Sequence, residues 1–266
     1  MIVVRSSITT LPPEAKGAVL ITGSHGGLIS AYLAGISGAK AVIFNDAGVG
    51  LDEAGIAGLK LLDKIGMPAA AISHLSARIG DGHDSAARGL VTYVNETAMA
   101  LGARPGQKCK HVAKIFLRKG ETPHNLPDPF GPMRHMLSST PPEIWAIDSV
   151  GRVQASDAGK ALIIGSHGAL HSGRADTALP VKAALAVFND AGGGVDGAGY
   201  TRLPALAQQG IAAVTVGHTS ARIGNARSSW ESGIISRTNS LARSYGAREG
   251  LRMSDWVRGT LGYHIH

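Results

Sequence analysis

The sequence predicts an α/β protein of two similar lobes, each a three-layer arrangement of parallel strands joined by crossover helices. Three observations carry this expectation. Short unbroken apolar runs of strand length alternate with helix-length segments, a pattern that belongs to sheets buried on both faces. Glycines close the helix-length segments. Most of all, a set of polar, glycine-rich motifs occurs twice. Gly23-Ser24-His25-Gly26 returns as Gly165-Ser166-His167-Gly168. Phe44-Asn45-Asp46-Ala47-Gly48 returns as Phe188-Asn189-Asp190-Ala191-Gly192, and His74-x-Ser76-Ala77-Arg78-Ile79-Gly80 as His218-x-Ser220-Ala221-Arg222-Ile223-Gly224. The offset between the copies is almost constant along the chain. Loop residues drift faster than packing residues, so polar loops repeated this faithfully point to a shared chemical task and to an internal duplication with a pseudo-twofold relation.

In the first half, Ala18–Ile21, Ala41–Phe44 and Ala69–Ile72 read as the strands, with Leu28–Gly38 and Asp52–Gly66 as crossover helices. A further helix is expected from Asp84 as N-cap through Leu90, Val91, Val94 and Leu101 to Gly102, with a second-half equivalent running from Ser228 through Ile234, Ile235 and Leu241 to Gly246. Asp52 and Asp196 are expected to cap helices. The boundaries follow: residues 1–106 form the first repeat, 107–143 a proline-rich connector or lid, 144–250 the second repeat and 251–266 a C-terminal tail. The connector is expected to open with a strand at Val112–Leu117 and to continue irregularly through Pro123–Pro129. Trp256, Tyr263, His264 and His266 give the tail groups for packing on the other half or in a homo-oligomer interface.

Composition narrows the function. The formal net charge is +7, yet the basic residues are dispersed and aromatics make up only 5%. Single-strand or groove binding needs a basic stripe with interleaved rings, so the charge is read as favouring small anions and no nucleic-acid partner is expected. No segment approaches the roughly 20 apolar residues of a membrane span, and the start lacks the form of a secretory leader. The single cysteine, Cys109, lies outside the motifs and suits a reducing compartment. A cytoplasmic location with no membrane partner is the expectation.

All three motifs follow strands and so belong at the carboxyl edge of a parallel sheet, where ligands bind. His25, Asp46 and His74, with His167, Asp190 and His218, are the candidate catalytic groups. Ser24, Ser76, Arg78, Ser166, Ser220 and Arg222 are the candidate substrate-binding groups. A strand-end aspartate must be paired, hydrogen-bonded or metal-bound, and a buried Arg78–Asp46 pair is one structural answer. Two histidines and one carboxylate also suit zinc, manganese or iron, giving His25-Asp46-His74 or His167-Asp190-His218 as a metal set. No nucleotide-binding turn or compact metal signature is present, and no nucleotide cofactor is expected.

The reaction these groups suit is hydrolysis of a carbon–nitrogen (amide-type) or ester bond in a small anionic substrate. Histidine and aspartate would move the proton, while serine, arginine and backbone N–H groups would hold the oxyanion. An isomerase or racemase with opposed histidines across the pseudo-twofold is the enzymatic alternative. A non-enzymatic anion-binding or regulatory protein is the other.

Overall fold

A computed structural model gives the structure of the chain and describes residues 1–120, 126, 128 and 130–262. In chain order the first half contains β1 (Ile2–Arg5), β2 (Val19–His25), α1 (Leu28–Ile36), β3 (Ala41–Asn45), α2 (Gly58–Asp63), β4 (Ala69–Ile72), α3 (Gly82–Arg88), β5 (Val91–Val94), α4 (Glu96–Ala100) and α5 (Cys109–Phe116). The second half contains β6 (Arg134–Ser138), β7 (Ile144–Ile147), β8 (Ala161–His167), β9 (Leu185–Asn189), α6 (Arg202–Gln208), β10 (Ala212–Val216), α7 (Ala226–Ser232), β11 (Ile235–Thr238), α8 (Ser240–Ser244) and α9 (Met253–Thr260).

The strands form two sheets, ordered β1-β2-β3-β4-β5 and β11-β10-β9-β8-β7-β6. β1 to β4 are parallel and so are β7 to β10, whereas β5, β11 and β6 pair antiparallel at the edges. The apolar runs behave as expected for strands covered on both faces: every residue of β2, β3, β4, β8, β9 and β10 is buried. In the first sheet, Ile21, Ile43 and Ile72 face Ala86, Val112 and Phe116 of α3 and α5. Leu20, Val42 and Phe44 face Ala31, Leu59 and Leu62 of α1 and α2 on the other side. The second sheet divides its core in the same way.

Several expectations change. The helix expected from Asp84 to Leu101 is instead α3, β5 and α4. Helical spacing at Val91 and Val94 misleads because Val-Thr-Tyr-Val is also a strong strand sequence. Gly89 ends α3, and a β-carbon there would lie 2.5 Å from the Ser85 carbonyl and 2.6 Å from Ile72 Cδ1. The cap of α3 is Asp81, whose carboxylate accepts the Asp84 N–H at 3.0 Å. In the second half Asn225 caps α7 in place of Ser228, and Ile235 opens β11.

Asp52 and Asp196 are not helix caps: both sit at positive φ, 52° and 57°, in short turns. Val112–Phe116 is helical, in α5, with Leu117 as its C-cap, and Val112, Ile115 and Phe116 keep the spacing of a buried helix face. Most of Pro123–Pro129 lies outside the described residues, as do Tyr263, His264 and His266. Trp256 packs in the core of its own half and donates Nε1–H to the Tyr245 carbonyl at 3.1 Å. Among the described residues no helix is long and apolar enough to cross a membrane.

The halves meet through the loops that follow their strands. Leu51 N–H donates to the His218 carbonyl and Val195 N–H to the His74 carbonyl, both at 2.8 Å. Ala47, Ile79, Ala169, Ala191, Ala198 and Ile223 form a small apolar cluster between them. The carboxyl edges of the two sheets therefore face each other.

Candidate functional site

Two groups of the repeated residues come together at this junction, and they are not the groups the motif order suggests. The first brings both Ser-His pairs to one cavity. β2 and β8 each run one turn further than their apolar residues, ending on His25 and His167, in register with Asn45 and Asn189. Ser24, His25, Ser166 and His167 line a cavity of about 30 Å³ together with Ser7, Asp148, Ser149 and His171. Each imidazole turns back on its own loop: His25 Nδ1 accepts the Gly27 N–H at 3.1 Å and His167 Nδ1 the Ala169 N–H at 3.3 Å. With Nδ1 accepting, the neutral ring carries its hydrogen on Nε2 and offers a donor.

Burial keeps these rings neutral. It pushes the His25 pKa down to about 4 and holds His167 well below its ordinary value, with Arg202, His171 and His25 adding repulsion at His167. The serine oxygens are held in matching fashion: Ser24 Oγ accepts the Ile8 N–H at 3.0 Å and Ser166 Oγ the Val150 N–H at 2.9 Å. Each hydroxyl hydrogen is thus left to be donated. Asp148 contributes the one carboxylate of this cavity among the described residues. Burial raises its pKa, against the Ala226 N–H that Oδ1 accepts at 2.8 Å. The wall of the cavity combines neutral imidazole and hydroxyl donors with a carboxylate whose proton affinity is raised, the kind of perturbed set that gathers where chemistry is done.

The second group consists of two aspartate–histidine pairs. Asp46 Oδ1 lies 2.8 Å from His74 Nδ1 and accepts the His74 backbone N–H at 2.9 Å, while Oδ2 accepts the Thr92 hydroxyl at 3.0 Å. Asp190 Oδ1 lies 3.0 Å from His218 Nδ1 and accepts the His218 N–H at 2.8 Å. Burial works against both carboxylates, but the bonds from the histidines outweigh it and hold each below the usual carboxylate range. The Asp190 hydrogen bond raises the His218 pKa against the pull of burial.

The two rings lie against the opposite half. A β-carbon on Gly48 would stand 2.9 Å from His218 Cδ2 and from the Gly192 α-carbon, and one on Gly192 would stand 2.8 Å from His74 Cδ2. Only glycine fits at either position, and both take positive φ, 73° and 77°. Their neighbours Ala47, Val49 and Ala191 are also held at positive φ. Non-glycine residues in this region cost roughly 1–3 kcal/mol each and cluster at functional sites.

His25 does not join Asp46 and His74, nor does His167 join Asp190 and His218, because each of these rings lies against the other half: His25 against Gly224, His167 against Gly80. Among the described residues no group of three or more His, Cys, Asp or Glu side chains is placed to hold a metal ion. Arg78 does not pair with Asp46; it reaches across to Asp196 at 2.8 Å, as Arg88 does at 2.9 Å. Arg222 and Asp52 make the reciprocal bridge at 2.5 Å. Ser76 and Ser220 hold backbone, donating to the carbonyls of Ser73 and Gly217 and accepting the N–H of Leu90 and Ile234.

Asp148, Ser149, Ser7 and His171 are site residues that the motifs alone do not reveal. The sequence does hold a signal for the two serines: Ser7-Ile8 and Ser149-Val150 stand at the same offset along the chain as the two Ser-His pairs. Those segments follow β1 and β7, strands that the apolar runs alone do not disclose.

A second cavity, of about 360 Å³, shares Ile29 and Asp148 with the first and is walled by Leu28, Ala54, Ala57, Phe130, Ile223 and the Asp52–Arg222 bridge. Comparison with protein-family models, with curated proteins and with solved structures finds no match to this chain.

Proposed function

We propose that the chain is an enzyme that hydrolyses a carbon–nitrogen or ester bond of a small anionic substrate held between two lobes related by internal duplication. The observation that carries the reading is the meeting of both Ser-His pairs, which lie in different halves of the sequence, on one cavity with Asp148. In this reading the reactive carbonyl enters the small cavity and the rest of the substrate occupies the adjoining one. The hydroxyls of Ser24 and Ser166 and the Nε2–H groups of His25 and His167 are the donors from which the carbonyl oxygen draws its hydrogen bonds. They gain strength as that oxygen becomes an oxyanion.

The Asp148 carboxylate takes a proton from a water molecule as its oxygen bonds to the carbonyl carbon. When the tetrahedral intermediate collapses, the carbon–nitrogen or carbon–oxygen bond breaks and Asp148 returns the proton to the leaving atom. Its raised pKa suits both halves of that task. The Asp46–His74 and Asp190–His218 pairs hold the glycine loops that close the junction.

Proton release from a panel of small amides and esters tests the assignment. Asp148→Asn keeps an oxygen for the Ala226 N–H, so the fold is retained, and kcat falls by about 10²–10⁴-fold, the usual contribution of a general acid/base. Turnover at the parent rate in that variant removes Asp148 from the chemistry and the reading with it.

One observation favours a second reading. Imidazoles from both halves, His25 and His167, line one cavity, an arrangement fit for an opposed acid and base. An isomerase or racemase of this kind is told apart by incorporation of solvent deuterium into unhydrolysed substrate.

A further inference from the structure

The small cavity shares lining residues with several neighbouring cavities, and two of these differ in charge. One is the largely apolar cavity around Leu28, Ile29 and Phe130. Ser7 and His171 are shared with the other, a cleft of about 360 Å³ that Arg5, His83 and Arg174 also line. Hydroxyls of Ser6, Thr10, Ser172 and Thr177 complete its wall, and among the described residues no carboxylate lines it. The contrast follows the sequence. At the offset that relates the repeated motifs, His171 corresponds to Ile29 and Arg202 to Gly58, so the second half has imidazole and cationic groups where the first has an isoleucine and a glycine.

Arg202 is the independent observation. It is wholly buried, and its Nε and Nη2 find no hydrogen-bond partner among the described residues. No carboxylate pairs with it there; its Nη1 donates to the carbonyls of Thr177 and Ala178. Its guanidinium also stacks over the Phe188 ring, 5.2 Å from the centroid. Thr177, which lines the cleft, accepts the His171 N–H on Oγ1 at 3.0 Å, so this cation, with no carboxylate beside it among the described residues, lies behind the cleft wall. A buried guanidinium with no carboxylate partner is costly, and an anion bound nearby offsets that cost. Arg5 adds an exposed guanidinium whose one described hydrogen bond is to the Val4 carbonyl, with no acidic partner among the described residues. Arg174 is the exception, since Asp176 already pairs with it at 2.5 Å.

We propose that the cleft between Arg5, His83 and His171 is an anion subsite that binds a phosphate or carboxylate group, with Arg202 supplying charge from behind. Its place beside the Ser-His cavity makes this the anionic end of the substrate, an assignment that rests on the hydrolase reading, whereas anion binding by the cleft does not. The substrate would then lie across the junction, anionic end at Arg5 and His171, apolar end at Ile29 and Phe130.

Calorimetric titration with inorganic phosphate and, separately, with acetate tests the subsite and distinguishes the two anions. One saturable site is expected for at least one of them, and Arg5→Gln, an exposed change that leaves the core intact, weakens it by about tenfold or more. Asp148→Asn leaves that affinity in place or tightens it. Absence of saturable binding of either anion, or affinity unchanged in Arg5→Gln, overturns the subsite. Failure of Asp148→Asn to alter turnover overturns the hydrolase reading instead, so the two are separable.

Discussion

Acidification from pH 6.5 towards 4 destabilises this protein by several kcal/mol, before its paired carboxylates titrate. The cause is the set of buried neutral histidines. His25 has a folded pKa of about 4 against an ordinary 6.5, so in that window the unfolded chain binds a proton that the folded chain refuses. Its contribution is fully present above 6.5 and is lost as the pH falls through about 4. From that shift the loss is about 3 kcal/mol. His167 is shifted in the same direction, and His171, also lowered to about 4 but less fully buried, adds a smaller amount.

His218 has the opposite sign. Its pKa is raised, so its stabilisation is complete below 6.5 and fades as the pH rises, and its half-buried ring makes this a smaller effect. Asp46 and Asp190, held below 3.8, keep their contributions until the pH falls below that value. Urea unfolding at a series of pH values reads the slope directly. A His25→Gln variant should show a shallower dependence, and a stability flat between 6.5 and 4 would sink the picture of buried neutral rings.

The second large effect is on turnover. His25→Ala and His167→Ala each reduce kcat/KM by about 10²–10³-fold, the range for loss of one oxyanion donor. Because both rings serve one cavity, the double variant falls well short of the product of the two losses; groups that act as a unit are strongly non-additive. Two independent sites give a different pattern: each single variant then keeps about half the activity and only the double variant loses it. Steady-state kinetics on the three proteins separates the cases.

Much of this architecture is legible in the residues. The unbroken apolar runs locate β2, β3 and β4 because a strand covered on both faces has no polar positions to interrupt it. The recurrence of Ser-His, Asn-Asp and His-x-Ser-Ala-Arg locates the junction, since each follows a parallel strand. Which residues meet there is not legible. Motif order groups His25 with Asp46 and His74, but chain order within one half says nothing about the rings of the other half, and His25 packs against Gly224 while His74 packs against Gly192. Asp148 escapes for a related reason: it follows β7, a short strand whose Ile-Trp-Ala-Ile does not announce itself, and its importance comes from the cavity it closes. The edge strands β5 and β11 read as helix because Val91 and Val94, or Ile234 and Ile235, satisfy helical spacing in a window too short to distinguish the two periods.

The central claim is that the Ser-His pairs of both halves form a single ligand site. The most direct test is the nitrogen-15 spectrum of the histidine rings at neutral pH, recorded while a small carboxylate such as formate is added. At the outset His25 and His167 should be neutral with hydrogen on Nε2. Their Nε2 signals should then move together along one saturation curve, while those of His74 and His218 stay fixed. Movement of the His74 and His218 signals with His25 and His167 unchanged would place the site on the aspartate–histidine pairs and contradict the account.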